Sequence, residues 1–361
     1  MIERRKTRQV KVGNIFIGGG APISVQSMTK TPTHDIEATI TQIHALQQAG
    51  CEIVRVAVPD ERAARALGEI RRNIQIPLVA DIHFNAHLAM IALEQGVDKL
   101  RLNPGNIREK RKVANIVAAA KERRVPIRIG VNAGSLDREI RQQFGGVCAE
   151  ALVASAAQEV RLFEELDFYD IVISLKASEV LLCVKAYELA AERFEYPLHI
   201  GITEAGLPPA GTVKSCIGLG YLLLKGIGDT IRVSLTTDPV EEVRVAYEML
   251  AALNIRRRGI SIISCPSCGR CDIDVVPLAE KVQALLADRT TPMTIAVMGC
   301  EVNGPGEARS ADVGLAGGAG VGLIFARGKI VKKVKAEEML EALIEVVNAE
   351  EAKRRQNPGG E

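Results

Sequence analysis

The sequence predicts a (β/α)8 barrel, the TIM fold, followed by a small α/β domain, on three observations. Eight short β-branched runs alternate with helix-like stretches between Ile23 and about Leu253, the pattern of parallel β/α units. A polar basic stretch ending at Gly259 then interrupts the alternation, and four of the eight cysteines crowd into the last third of the chain. The length, 361 residues, suits two domains at roughly 150 residues each.

The runs are ISVQSM from Ile23, IVRVAV from Ile53, PLVADIHF from Pro77, KLRLNP from Lys99, PIRIGVN from Pro126, DIVISLK from Asp170, PLHIGIT from Pro197 and TIRVSL from Thr230. Glycines at 50, 96 and 226 suit left-handed helix ends, and Pro77, Pro126 and Pro197 open the next strand. Eight units over about 250 residues describe a closed barrel; a doubly wound open sheet is the alternative, because a count of units does not establish closure. The barrel is assigned to residues 1–258 and the second domain to 259–361. That second part carries the strand ISII, a helix from Pro277 to Asp288, the strand MTIAVMG, glycine-rich strands and a helix from about Ala336 to Arg354.

Forty-six basic against forty-four acidic residues leave a net charge of +2, so no whole-molecule field draws in nucleic acid or an anionic membrane. The basic N-terminus has no apolar signal core behind it, and the cysteines are too sparse for a secreted disulfide scaffold, which predicts a reducing cytoplasm. The most apolar run, Val313 to Ala326, falls short of the roughly 20 residues a membrane span needs.

Active sites of such barrels lie at the C-terminal ends of the strands, and here those ends are polar. They carry Arg55, then Asp81 and His83, Arg101 with Asn103, Arg128 with Asn132, Lys176, Glu204, and Arg232 with Ser234. Five of the eight strands therefore bring a cation, and Asp81 and Glu204 cannot neutralise them all. Arginine forks suit phosphate oxygens, and each pair at about 4 Å contributes on the order of 4 kcal/mol at an effective dielectric near 20. A phosphate or diphosphate ligand accounts for the whole set; ion pairs within the barrel are the alternative for any single member. Glu204 stands where the seventh strand breaks into a glycine loop and suits a general acid, or else a helix-capping or arginine-pairing carboxylate. The NPGN loop, Asn103 to Asn106, offers backbone donors or is an ordinary turn.

Cys265-Pro-Ser-Cys268-Gly-Arg-Cys271 and Cys300 each follow a predicted strand, so four thiols are available at strand ends. Their spacing suits structural zinc or an iron–sulfur cluster equally. The loop Asn303-Gly-Pro-Gly-Glu307 can add the Glu307 carboxylate, which tips the balance toward a cluster with one exchangeable ligand. Cys51, Cys148, Cys183 and Cys216 read as small core residues.

The chain resembles the 4-hydroxy-3-methylbut-2-enyl diphosphate synthases of the non-mevalonate isoprenoid pathway, in their bacterial two-domain form. The resemblance runs nearly end to end through GAPISVQSMT, IVRVAVP, PLVADIHF, LRLNPGNI, PIRIGVNAGSL, SLKAS, GITEAG, GIGDTIRVSL, RGISIISCPSCGR and GCEVNGPGEA. It implies a [4Fe–4S] cluster on Cys265, Cys268, Cys300 and Glu307, with Cys271 not a ligand. It implies that Arg55, His83, Arg101, Arg128, Asn132, Lys176, Arg232 and Ser234 contact a substrate diphosphate and that Glu204 acts near the reacting carbons. The implied reaction is the two-electron reductive ring opening of 2-C-methyl-D-erythritol 2,4-cyclodiphosphate. Flavodoxin or ferredoxin is the implied donor, since no strand is followed by the glycine fingerprint of a nicotinamide site. A homodimer is also implied, one chain's cluster domain serving the other's barrel. A phosphate-binding transferase of the pterin-binding kind with a structural zinc domain is the alternative without redox chemistry.

Overall fold

The computed structural model describes residues 2–83, 85–103, 109–300, 304–318 and 320–356, and the chain divides into two compact units after Arg256. Each unit has its own apolar core.

The first unit begins with a feature not expected from the sequence, an antiparallel hairpin of β1 (Val10–Val12) and β2 (Ile15–Ile17). Its two-residue turn has Gly13 at φ +56°, where only glycine turns without strain, followed by Asn14. Eight parallel strands come next: β3 (Ser24–Met28), β4 (Ile53–Ala57), β5 (Leu78–Ile82), β6 (Lys99–Leu102), β7 (Ile127–Asn132), β8 (Ile171–Lys176), β9 (His199–Ile200) and β10 (Thr230–Ile231). All eight expected runs are strands. Their order is β8-β7-β6-β5-β4-β3-β10-β9, and a parallel bridge between Ile173 and Leu198 joins the two ends into a ring, with Ile173 N–H donating to Pro197 at 2.9 Å. The open-sheet alternative is thereby excluded.

The strands are separated by α1 (Ile36–Ala49), α2 (Glu61–Arg72), α3 (Ala86–Glu94), α4 (Lys110–Arg123), the short α5 (Arg138–Gln143) with α6 (Ala149–Glu165), α7 (Val180–Arg193) and α8 (Ala210–Leu224); α9 (Pro239–Ala252) closes the series. Asp35, Asp60, Asn85, Asp137 and Asp238 cap α1, α2, α3, α5 and α9 by accepting from backbone N–H groups of the first turn. Gly50 ends α1 in the left-handed region at φ 105°. Outward-facing strand residues and the inner helix faces form the main core. At the bottom of the barrel Ile53, Val79 and Val172 pack against Val10, Val12 and Ile17, so the hairpin plugs the end opposite the strand C-termini.

The second unit is a five-stranded sheet in the order β11 (Ile260–Ser264), β12 (Met293–Met298), β13 (Val313–Gly318), β14 (Val321–Ala326) and β15 (Lys329–Lys335). The first three strands are parallel and the last two pair antiparallel. Helix α10 (Val275–Leu286) precedes β12, α11 (Gly304–Ser310) precedes β13, and α12 (Met339–Gln356) ends the unit. One expectation is corrected: Gly304 to Glu307 is not a loop but the first turn of α11. Proline is tolerated there because first-turn N–H groups have no partner within the helix. Among the described residues no helix is long and apolar enough to cross a membrane.

Candidate functional site

Period-two alternation sends Arg55, Asp81, Arg101, Arg128, Lys176 and Arg232 into the barrel, at the end where the strands give way to loops. Parallel register aligns Asp81 with Arg101 and Arg101 with Arg128, and Asn132 with Lys176. Asp81 is the hub. One of its oxygens lies 3.6 Å from Arg55 Nε and 3.5 Å from His83 Nε2, the other 3.3 Å from Arg101 Nη1. Burial alone would raise the Asp81 carboxyl, but Arg55, His83 and Arg101 outweigh it and hold the group well below the usual carboxylate range.

The remaining cations have thinner support. Arg128 is fully buried and donates to Gln26 Oε1 at 3.3 Å, while its Nε has no partner. Arg55 rests on the Met28 thioether, with Nη2 2.9 Å from the sulfur, a weak acceptor. Arg232 has Glu242 at 3.7 Å. Burial, then repulsion from Arg55, pushes Arg232 down to about 10, and burial followed by Arg128 and Arg55 pushes Lys176 well below the ordinary lysine value. The interior thus gathers Arg55, Lys99, Arg101, Arg128, Lys176 and Arg232 around Asp81 and Glu242, a surplus of four positive charges when all are ionised. A ligand with two or more negative charges relieves it.

Two glycines make room for this arrangement. A Cβ on Gly130 would lie 2.5 Å from Arg101 Nε, and one on Gly201 would lie 2.9 Å from Lys176 Nζ. Glu204 comes after β9 with φ +52°, a conformation uncommon for a side-chain-bearing residue, and is exposed. Its loop is braced on both sides, Thr203 N–H donating to Ala177 at 3.2 Å and Thr236 N–H to Gly206 at 3.0 Å. Glu204 therefore stands between the strand ends that carry Lys176 and Arg232. Ser234 and Asn132 are half-buried at the same end. Asn103 is buried, but Pro104 to Asn106 of the expected anion loop lie outside the described residues.

Sequence reasoning missed three interior residues. Glu242, in the first turn of α9, reads as an ordinary helix-start acid, yet it is buried, accepts from Leu235 N–H at 3.0 Å and Ser27 Oγ at 3.2 Å, and holds Arg232. Lys99 and His199 are also fully buried. The available signal was strand parity, since Lys99 and Arg101 share a face.

In the second unit, adjacent parallel strands β11 and β12 bring Cys265 and Cys300 to the same end. Cys265 N–H donates to Val297 at 3.4 Å, and Asp272 N–H to Gly299 at 2.8 Å, fastening the cysteine loop to the end of β12. Cys271 N–H donates to Cys268 at 2.9 Å, which makes the CPSCGRC segment a turn. Gly299 lets the cysteine loop pack closely on the end of β12, for a Cβ there would lie 2.3 Å from Val275 Cγ2, 2.7 Å from Cys271 Sγ and 3.6 Å from Cys265 Sγ. Cys300 is buried and Cys268 exposed, and no disulfide joins any of the four. Cys271, which the resemblance leaves out, lies with its sulfur 4.0 Å from that of Cys265, and the Ser267 hydroxyl and the Cys268 backbone lower its thiol from the ordinary value. Glu307 is exposed on α11, and Asn303 lies outside the described residues. Soft sulfur donors at the ends of two neighbouring strands fit an iron–sulfur cluster. Among the described residues no three His, Cys, Asp or Glu side chains converge on a position for a single metal ion. Cys51 and Cys183 are buried in the barrel core, their thiols pushed by burial up to about 12 and about 11, and Cys148 and Cys216 pack against that core.

The comparisons with known proteins agree along the whole chain. The family model of the GcpE TIM-barrel domain matches residues 7–247, and that of the GcpE protein C-terminal domain matches residues 261–349. A relative from Geobacter sulfurreducens, named 4-hydroxy-3-methylbut-2-en-1-yl diphosphate synthase (flavodoxin), is 60% identical over 341 residues, 94% of this chain and 97% of the relative. One of the same name from Thermodesulfovibrio yellowstonii is 56% identical over 347 residues, 96% of this chain and 99% of its own. Among solved structures, a dihydropteroate synthase from Xanthomonas albilineans in complex with 7,8-dihydropteroate aligns with TM-score 0.51 at 13% identity, over 68% of this chain and 97% of that one, a likeness of fold alone. With both of its domains matched in order and full-length relatives above half identity, the chain belongs to the GcpE family.

Proposed function

We propose that the protein is 4-hydroxy-3-methylbut-2-enyl diphosphate synthase, an oxidoreductase of isoprenoid precursor biosynthesis. It converts 2-C-methyl-D-erythritol 2,4-cyclodiphosphate to 4-hydroxy-3-methylbut-2-enyl diphosphate. Two electrons and two protons enter, the ring carbon–oxygen bond opens, and one water leaves. The single observation that carries this reading is the surplus of buried cations around Asp81 at the barrel mouth, which calls for a ligand of diphosphate charge.

In this reading the barrel, residues 1–258, binds the substrate and residues 259–361 hold the cluster. Arg55, Arg101, Arg128, Lys176 and Arg232 take the diphosphate oxygens, with His83, Asn132 and Ser234 adding hydrogen bonds at its edge. Asp81 keeps Arg55 and Arg101 turned toward the ligand, and Glu242 does the same for Arg232. Glu204, exposed on its braced loop, supplies a proton to the departing hydroxyl. Cys265, Cys268, Cys300 and Glu307 hold a [4Fe–4S] cluster, which when bound supplies single electrons drawn from reduced flavodoxin or ferredoxin. The relatives' printed name, with its flavodoxin, supports that donor. A cytoplasmic homodimer completes the proposal.

Anaerobic purification, iron and sulfide analysis, and turnover of the cyclodiphosphate with reduced flavodoxin test it together. The expected result is a brown protein with about four irons per chain and reductant-dependent product. Colourless anaerobic protein retaining zinc and inert toward the cyclodiphosphate would overturn it.

A further inference from the structure

Between β3 and β10 the wall of the barrel mouth is fastened by side chains where backbone pairing stops. The ladder of these two neighbours consists of Ser24 with Thr230 and Val25 with Ile231, and it ends there. The segment that follows, residues 232–237, carries Arg232 and Ser234 and leads into α9 at its cap Asp238. On the β9 side the segment keeps backbone bonds, Arg232 N–H donating to Ile200 at 3.1 Å and Thr236 N–H to Gly206 at 3.0 Å. On the β3 side two side chains take over.

One is Glu242, whose Oε1 accepts from Leu235 N–H at 3.0 Å while its Oε2 accepts from Ser27 Oγ of β3 at 3.2 Å and faces Arg232 at 3.7 Å. The other is Lys30, two residues beyond the end of β3. Its ammonium donates to the Leu235 carbonyl at 3.0 Å and to the Thr237 carbonyl, and it lies 3.6 Å from Glu242 Oε1. Three ammonium protons thus meet three acceptors. Lys30 is itself tied to α1, its backbone N–H donating to Gln42 Oε1 at 2.6 Å. The peptide groups of Leu235 are therefore gripped from both sides, the N–H by Glu242 and the carbonyl by Lys30. Bonds to an ionised partner are stronger than neutral ones, so this staple can replace the missing ladder. A lysine serving only solubility would extend into water, whereas 39% of this side chain is exposed and its head is spent on main-chain carbonyls.

We propose that Lys30 is a positioning residue for the reaction: by stapling residues 235–237 to the end of β3 and bracing Glu242, it sets where Arg232 and Ser234 meet the substrate diphosphate. The inference rests on the diphosphate reading of the mouth. Lys30 touches no reacting atom in this role. Its contribution is to hold two ligand contacts in place before the substrate arrives, which acts on binding and leaves the chemical step alone.

The test is steady-state kinetics of the anaerobic holoenzyme with the cyclodiphosphate and reduced flavodoxin. Lys30→Met, which keeps the length of the stem and removes the donors, is expected to raise KM at least about fivefold with kcat within about twofold of wild type. Lys30→Arg, which keeps the cation and its N–H donors, is expected to recover most of that loss. In a Glu242→Gln background Lys30→Met is expected to add less than it does alone, because both act on one segment. Hydrogen exchange of the ligand-free holoenzyme gives a readout without turnover: the Leu235 and Thr236 amides are expected to exchange at least about tenfold faster in Lys30→Met, with the β3 to β8 amides unchanged. An unaltered KM in Lys30→Met would overturn the inference, as would a kcat that falls as far as kcat/KM. Unaltered exchange at Leu235, or protection lost across the whole barrel, would overturn it too, the latter by making Lys30 a residue of general stability. Wild-type holoenzyme that does not turn over the cyclodiphosphate would remove the diphosphate reading and this inference together, whereas an active wild type with an indifferent Lys30→Met removes the inference alone.

Discussion

A glycine can matter through the space it leaves. Gly130 lies under the Arg101 guanidinium, and the methyl group of alanine would come within 2.5 Å of its Nε. Gly130→Ala is expected to raise the KM for the cyclodiphosphate at least about tenfold, some 1.4 kcal/mol, with the circular dichroism spectrum unchanged. Glu242→Gln tests the support of Arg232 in a different way. It keeps the shape and the acceptor for Leu235 N–H but removes the charge, so KM is expected to rise several-fold while kcat changes little; an equal loss in both would mean that Glu242 does more than position. Asp81 has a pH signature. Because its folded value is depressed, the stability it contributes is full above its ordinary value of 3.8 and is lost as pH falls below that value toward the folded one. Asp81→Asn is expected to flatten that acid limb in thermal melts between about pH 5 and 3.

At the scale of the element, one device recurs at strand starts. Glu52, Asp98, Asp229 and Asp312 each stand one residue before a strand, and each accepts the backbone N–H of a residue at the neighbouring strand, Val25, Leu78, Leu198 and Thr294 in turn. Each carboxylate also holds an arginine: Arg256, Arg71, Arg4 and Arg354. A one-residue slip would turn every inward cation outward, so these pins protect the site as well as the sheet. Asp98→Ala leaves Leu78 N–H without its acceptor and is expected to cost about 1–3 kcal/mol in chemical denaturation. The eight strands were legible because β-branched runs between left-handed glycines and prolines leave few alternatives. The hairpin was not, because three-residue strands give almost no periodicity and the Gly13-Asn14 turn sits in a basic stretch that reads as a tail. The turn of α11 was misread for a related reason: Gly304-Pro305-Gly306 is locally a loop sequence, and its helical conformation comes from packing, with Gly304 and Ala308 buried beside β12 and β13.

For the whole molecule, net neutrality conceals a partition. The barrel interior concentrates positive charge that the overall composition does not reveal. The cations at the strand ends could be read from residue type and position, whereas Lys99, one pleat deeper, was signalled only by strand parity, which puts it on the face of Arg101. In the second unit four thiols were visible, but the choice among them is not settled by proximity, because the Cys271 sulfur lies 4.0 Å from that of Cys265. Cys271→Ser is expected to retain near-normal iron and sulfide, and loss of iron would transfer the ligand role to it. Glu307→Ala is expected to assemble a more labile cluster with much reduced turnover, tracked by the decay of visible absorbance in air.

The hairpin at Val10–Ile17 also bears on how the molecule is made. It leaves the ribosome before the surfaces it seats on, Ile53, Val79 and Val172, and well before the anchors beside it, Asp229 for Arg4 and Gly226 for Arg5. A nascent chain that has not yet reached Asp229 therefore carries an unsatisfied apolar ribbon and an open lumen at the same time. Arrested chains of increasing length are expected to stay protease-sensitive in the hairpin until β10 has emerged, so that a segment made before the barrel strands is locked in place only after the last of them.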